Sequence, residues 1–119
     1  HCLSRGLGDV YKRQVSSHFV IDRSGKIFQF VSVYDRAWHA GVSSFKNIEN
    51  CNDFSLGIEL IGSDSVPFED NQYDSLNKLI EILCSSFPEI KKENIVGHSE
   101  IAPDRKTDPG PFFDWSKIR

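Results

Sequence analysis

The chain has 119 residues and a formal net charge of −3, from 14 basic and 17 acidic side chains. This length fits one domain, and 39% apolar with 26% charged residues is typical of a globular protein. The negative charge argues against a basic nucleic-acid-binding module, and no segment approaches the roughly 18 apolar residues of a membrane span. The three Cys are an odd number without a CxxC pair, which favours a reducing compartment over a disulfide scaffold.

The first fourteen residues, HCLSRGLGDVYKRQ, differ from the rest of the chain, which contains no Met. They show neither helical nor strand periodicity, and they lack the apolar segment of a signal peptide. We interpret residues 1–14 as a non-native or disordered leader and residues 15–119 as the folded domain. A native flexible arm is the alternative.

Residues 15–67 are typical of β-structure and loops. Two β-forming segments, residues 15–21 and 26–33, flank a short turn that ends in Gly, which predicts a β-hairpin. A long loop is predicted for residues 34–53. The apolar segment at residues 54–61 then predicts a strand that is buried on both faces in the centre of a sheet.

Residues 73–87 predict a helix because apolar side chains recur with a 3.6-residue period. The face comprises Tyr73, Leu76, Leu79, Ile80, Leu83, Cys84 and Phe87. Residues 95–97 predict a brief strand that delivers His98, and the proline-rich tail from residue 100 predicts an ordered loop. The pattern as a whole predicts a mixed α/β domain with a helix packed on the sheet.

The tail contains groups that could carry chemistry. His98 lies at the predicted strand end and Asp108 follows ten residues later, so the two converge if the loop doubles back. Imidazole nitrogen and carboxylate oxygen are both Zn²⁺ ligands, and Lys106 would place an ammonium beside them. A solvated or helix-capping role for these side chains is the alternative at this point.

Three further positions have both a functional and a structural interpretation. Glu59 lies in the apolar segment FSLGIELI, and buried carboxylates cluster at functional sites, although the polar face of an edge strand would also accommodate it. Trp38 and His39 could line a groove or serve as structural residues. His18, in the first strand, is predicted to be a packing residue.

Four segments together resemble the zinc-dependent N-acetylmuramoyl-L-alanine amidases of the amidase_2 type: VSSHFVIDRSGKIFQFV, RAWHAGVS, CNDFSLGIELIGSD and GHSEIAPDRKTDPGPFFDW. The resemblance is strongest to the subgroup that recycles cell-wall fragments in the cytoplasm. It implies an α/β fold with a mixed central sheet flanked by helices. It also implies a monomeric hydrolase that acts on anhydro-muropeptides, cleaves the amide bond between (anhydro-)N-acetylmuramic acid and L-alanine, and binds neither nucleic acid nor membrane.

The resemblance also implies roles for individual residues. His98 and Asp108 would bind Zn²⁺, Lys106 would stabilise the oxyanion, and Glu59 would be the general base. Arg36, Trp38 and His39 would face the substrate groove.

The chain departs from the family pattern at the third zinc ligand, which is a His on an early strand upstream of the VSSH segment. No His of this sequence corresponds to it. We therefore expect a domain that lacks its N-terminal part and a fragment that is inactive for want of this ligand. The alternative is a non-catalytic module on the same fold that binds peptidoglycan.

Overall fold

The computed structural model describes the backbone of residues 2–6 and the whole of residues 17–118. Within these residues, five strands form one sheet: β1 (Cys2–Gly6), β2 (Phe19–Ile21), β3 (Ile27–Gln29), β6 (Gly57–Ile61) and β7 (Val96–Gly97). They lie in the sheet in the order β3-β2-β6-β1-β7. A smaller sheet pairs β4 (Ser44–Phe45) with β5 (Ile48–Glu49), and the helices are α1 (Asp70–Ser86) and α2 (His98–Ile101). This is the mixed α/β architecture that the sequence predicts.

The predicted hairpin is confirmed as β2 and β3, which pair antiparallel with Val20 opposite Phe28. Asp22 closes the turn, since its Oδ1 accepts hydrogen bonds from the backbone N–H groups of Ser24 at 3.0 Å and Lys26 at 2.9 Å. Both strands are shorter than predicted, and residues 15 and 16 lie outside the described part of the chain.

The predicted helix is confirmed as α1. Its buried face, which includes Leu76 and Ile80, packs against Ile58 and Leu60 of β6 in the main core. A capping box between Glu69 and Gln72 satisfies the backbone at its N-terminus. Cys84, on the same predicted face, is half-buried at the edge of this core.

β1 lies in the sheet between β6 and β7 and is parallel to both. Residues 1–14 are predicted to lie outside the folded domain, whereas the structure places the backbone of residues 2–6 near the centre of the sheet. A strand flanked on both sides is held by main-chain hydrogen bonds, which any residue except proline can make. An alternation of apolar and polar residues is therefore not required in β1, and its absence from residues 1–14 did not exclude a strand. Whether the leader is native stays a prediction.

Two segments that the sequence predicts to be loops contain short regular elements. The predicted loop at residues 34–53 contains the β4–β5 hairpin, whose turn residues Lys46 and Asn47 have φ of 50° and 67°. Two consecutive positive φ values are characteristic of a type I′ turn. In the tail, α2 and a 3-10 turn at Trp115–Lys117 interrupt the predicted loop. In the described residues, no helix has both the length and the apolar character needed to cross a membrane.

Candidate active site

The two faces of β6 separate the core from the candidate site. Side chains alternate along a strand, so Ile58 and Leu60 face α1 while Gly57 and Glu59 face the opposite side. The ring of His39 lies directly on Gly57, where a Cβ atom would overlap it. His39 therefore lies on the same side of the sheet as Glu59.

The strand register brings Glu59 and His98 to the same level of the sheet. Glu59 pairs with Ser4 of β1, and Leu3 pairs with Gly97 of β7. His98 follows Gly97 and is therefore level with Ser4 and Glu59. Two strand spacings separate Glu59 from His98, roughly 10 Å between their backbones. The edge-strand alternative for Glu59 is wrong, because β6 is inside the sheet.

The predicted convergence of His98 and Asp108 is confirmed. His98 Nδ1 lies 3.2 Å from Asp108 Oδ2, and the two residues are only 5% and 6% exposed. The loop doubles back because the Ala102 carbonyl accepts hydrogen bonds from the N–H groups of Arg105 and Lys106, at 3.0 and 2.9 Å. The Ser99 N–H then donates to the Asp108 carbonyl at 2.9 Å.

The hydrogen bond at His98 Nε2 determines which ring nitrogen of His98 carries a proton. Nε2 lies 2.9 Å from the carbonyl oxygen of Ala40. A carbonyl oxygen can only accept, so Nε2 carries the proton and, in the neutral ring, Nδ1 keeps a lone pair. Nδ1 and Asp108 Oδ2 face each other at hydrogen-bond distance, so a metal ion bound there would take the place of the proton between them. This is the donor chemistry of a zinc site, with the far nitrogen held by a carbonyl.

The donor set is nevertheless incomplete within the described residues. Catalytic zinc sites use three protein ligands. Among residues 17–118, no third His, Cys, Asp or Glu joins His98 and Asp108 in a group that could hold a metal ion.

Glu59 and Lys106 are both half-buried. Glu59 projects from the middle of β6, and Lys106 is held by its backbone in the turn that precedes Asp108. Among the described residues, the Lys106 ammonium forms no ion pair. A half-buried ammonium in the segment that carries Asp108 is suited to interact with negative charge that develops in a reaction.

Arg36 and Trp38 border an open cleft of about 660 Å³ between the 36–52 segment and the residues after α2. The Arg36 guanidinium stacks 4.0 Å from the Trp38 ring centroid. Its Nε also pairs with Asp53 Oδ1 at 2.9 Å, while Trp38 remains 53% exposed. The aromatic face is thus held by a cation at the cleft, where it is available to a sugar or peptide.

His39, the third predicted groove residue, is buried instead. The Ser55 hydroxyl donates to the Cys51 carbonyl at 2.6 Å, so it can only accept from His39 Nε2 at 3.2 Å. His39 Nδ1 is buried and has no hydrogen-bond partner among the described residues. Burial, with a smaller contribution from His18, lowers the pKa of His39 to about 3.

His18 is a packing residue, as predicted. Its Nδ1 accepts the Gly57 N–H at 3.1 Å, and its Nε2 donates to the Asp35 carbonyl at 2.7 Å. Burial lowers the pKa of His18 as well.

Two supporting residues were missed by sequence reasoning. Asp64 Oδ2 accepts a hydrogen bond from Thr107 Oγ1 at 2.9 Å, within the segment that carries Lys106 and Asp108. Arg105 donates to the backbone of the loop that contains His39. Neither contact has a signal in a single sequence, because each joins residues more than 40 positions apart.

Residues 2–111 match the family model described as N-acetylmuramoyl-L-alanine amidase (Amidase_2). The chain belongs to this family. It is 52% identical over 109 residues to the 1,6-anhydro-N-acetylmuramyl-L-alanine amidase AmpD of Haemophilus influenzae, covering 92% of this chain and 59% of that protein. The chain thus spans about 59% of the length of this curated relative.

Solved structures agree with the family assignment. A crystal structure of a selenomethionine AmpD derivative is 50% identical, with a TM-score of 0.85 over 90% of this chain and 59% of that one. The amidase AmiD from E. coli, solved with the substrate anhydro-N-acetylmuramic acid-L-Ala-D-γ-Glu-L-Lys, is 34% identical, with a TM-score of 0.85 over 98% of this chain and 53% of that one.

Proposed function

We propose that this chain carries most of the active site of an amidase that hydrolyses the amide bond between (anhydro-)N-acetylmuramic acid and L-alanine in peptidoglycan fragments. The observation that carries the proposal is the buried pair of His98 and Asp108, 3.2 Å apart and level with Glu59 of β6. The two side chains contact each other there, and together they present the nitrogen and oxygen donors that zinc binds.

The cofactor in this proposal is Zn²⁺, held by His98 Nδ1 and Asp108 Oδ2. The two groups fit zinc in kind, and the third ligand must come from outside the described residues. When bound, zinc would supply Lewis-acid polarisation of the amide carbonyl and lower the pKa of water towards about 7.

The protein's own groups would handle the protons and the developing charge. Glu59 would accept a proton from the attacking water and then pass it to the leaving amine of L-alanine. Lys106 would hold its ammonium near the carbonyl oxygen, which becomes negative as the carbon turns tetrahedral. Partial burial of Glu59 and Lys106 strengthens both interactions because water screens them less than at an exposed site.

The substrate class follows from the cleft and from the relatives. Arg36 and Trp38 offer a cation and an aromatic face, which suit a carboxylated sugar–peptide. The AmiD complex contains an anhydro-muramyl peptide of this class. We extend this substrate class to the present chain, together with action on recycled fragments in the cytoplasm as a monomer.

A non-catalytic peptidoglycan-binding module is the second candidate. It is favoured by the absence of a third metal-ligating side chain near His98 among residues 17–118. Such a module would keep the cleft and bind muropeptides without cleaving them.

One assay separates the two candidates. The protein is incubated with an anhydro-muropeptide and Zn²⁺, and release of the free peptide is followed by chromatography. The amidase proposal expects release by the wild type and a large loss in Glu59→Gln, with Glu81→Gln on the exposed side of α1 as the matched control. Binding without release in the zinc-saturated wild type would favour the binding module. Full activity of Glu59→Gln across neutral pH would remove Glu59 as the general base.

A further inference from the structure

Arg105 lies between the His98–Asp108 pair and the loop that carries Trp38. Its Nη2 donates to the carbonyl oxygens of Ala40 at 2.6 Å and Val42 at 3.1 Å. The Ala40 oxygen is the same atom that accepts the Nε2–H of His98 at 2.9 Å. A carbonyl oxygen has two lone pairs, so it can accept both donors. The guanidinium and the imidazole are therefore joined through one backbone atom.

The backbone around this atom is fixed from other directions as well. Gly41, between the two carbonyls, has a φ of 64°, and a Cβ atom there would lie 2.6 Å from Arg105 Nη2. Glycine thus permits both the left-handed turn and the approach of the guanidinium. On the other side, the Ala40 N–H donates to the buried Asn52 Oδ1 at 2.8 Å. Arg105 is the charged member of this set of contacts.

We propose that Arg105 is a positioning residue that holds the Ala40 carbonyl as the acceptor for His98 Nε2–H, and so keeps His98 Nδ1 aimed at the point it shares with Asp108. The claim that this orientation of His98 Nδ1 serves metal binding rests on the proposed function. A hydrogen bond at the far nitrogen of a ligating histidine fixes both its tautomer and its ring orientation. Without Arg105, the 40–42 segment loses its anchor. His98 can then place its proton on Nδ1 and donate to Asp108, which removes the lone pair that a metal requires.

The first test needs no metal. Long-range ¹H–¹⁵N spectra of the chain at pH 8 measure how fast the His98 Nε2 proton exchanges with water. We expect exchange about tenfold faster in Arg105→Gln, since a charge-assisted contact to the acceptor is lost. Arg105→Lys, which keeps one charged donor, should lie between the two. Exchange in Arg105→Gln at the wild-type rate would overturn the proposal.

Arg23→Gln is the matched control. Arg23 donates to Pro67 at 3.0 Å, Glu69 at 2.8 Å and Gln72 at 3.3 Å beside α1, so its loss removes at least as many hydrogen bonds as the loss of Arg105, in another part of the fold. We expect it to lower the unfolding midpoint without changing the exchange of the His98 proton. An equal acceleration in both variants would mean general loosening and would also overturn the positioning role.

Zinc affinity, measured by competition with a chromophoric chelator, connects the two proposals. We expect Arg105→Gln to weaken zinc binding by about 10- to 100-fold, and His98→Ala to abolish it. Unchanged zinc affinity in Arg105→Gln would contradict the claim that the orientation of His98 Nδ1 supports metal binding. Unchanged affinity in His98→Ala would instead contradict the proposed metal site, and the proton-exchange result would still decide the role of Arg105.

Discussion

At the scale of single residues, His39 stays neutral throughout the physiological range. Burial lowers the pKa of its imidazole to about 3, and the ring of His18 lies edge-on at 5.8 Å, with its pKa lowered by burial too. The unfolded chain protonates a histidine near pH 6.5. Between about pH 3 and 6.5 the unfolded state therefore binds a proton at His39 that the folded state does not.

This difference predicts a pH dependence of stability. Where the unfolded state binds more protons, the free energy of unfolding rises with pH, so His39 destabilises the fold on acidification below pH 6.5 and contributes nothing above it. From pH 7 to pH 5 its contribution is a loss of about 2 kcal/mol. Urea unfolding at the two pH values should show a smaller loss in His39→Gln than in the wild type. Equal losses would contradict the conclusion that the His39 imidazole is neutral in the folded protein.

Lys106 offers a second prediction at this scale. Lys106→Ala in the zinc-loaded enzyme should lower kcat by about two to three orders of magnitude, because a charged donor to the developing oxyanion is lost. Zinc content, measured by elemental analysis, should not change. Lys117→Ala, which breaks an exposed ion pair with Asp70, should leave kcat unaffected. Loss of zinc in Lys106→Ala would show that Lys106 instead supports the fold of the loop.

At the scale of elements, α1 shows why some structure is readable from sequence. Its apolar residues recur every 3.6 positions because one face packs on β6, and this pattern is local to seventeen residues. The β4–β5 hairpin was missed because two-residue strands have no periodicity, and only the turn at Lys46 and Asn47 marks it. β1 was missed because its partners, β6 and β7, are distant along the chain.

The packing of α1 predicts a contrast between two of its side chains. Leu76 is fully buried and Ile82 is 61% exposed on the same helix. Leu76→Ala should lower the free energy of unfolding by about 2–5 kcal/mol, since it leaves a cavity in the core. Ile82→Ala should change it by less than about 0.5 kcal/mol. Denaturant titrations of both variants measure the two losses. Equal losses would contradict the assignment of Leu76 to the buried face of α1 and of Ile82 to the exposed face.

At the scale of the whole molecule, the candidate site draws on three separated segments: residues 36–42, β6 and residues 98–108. The pairing of His98 with Asp108 could be predicted, because only ten positions separate them in a segment rich in proline. The contact of His98 with Ala40 could not, because it joins residues 58 positions apart through a main-chain atom that no residue type marks. The burial of His39 depends equally on its position over Gly57 of another segment.

Zinc provides a prediction for the molecule as a whole. A ligand that binds only the folded state stabilises it, by about 2.7 kcal/mol at a free concentration 100 times the dissociation constant. Zn²⁺ should therefore raise the unfolding midpoint of the wild type but not that of Asp108→Ala. Mg²⁺, which prefers oxygen ligands, should have little effect on either protein. An equal rise in both proteins would place the metal elsewhere.

The position of β1 also constrains the order in which the molecule can assemble. Cys2 pairs with Gly57 on one side and with Val96 on the other, so the first strand of the chain joins two strands that are translated long after it. On a ribosome, the hairpin of β2 and β3 can form early, whereas the gap between β6 and β7 exists only once residue 97 has emerged. Such long-range parallel pairing is slow because a large loop must close before any contact forms. Closure of the sheet, and with it the alignment of Glu59 with His98, is therefore a late event in assembly.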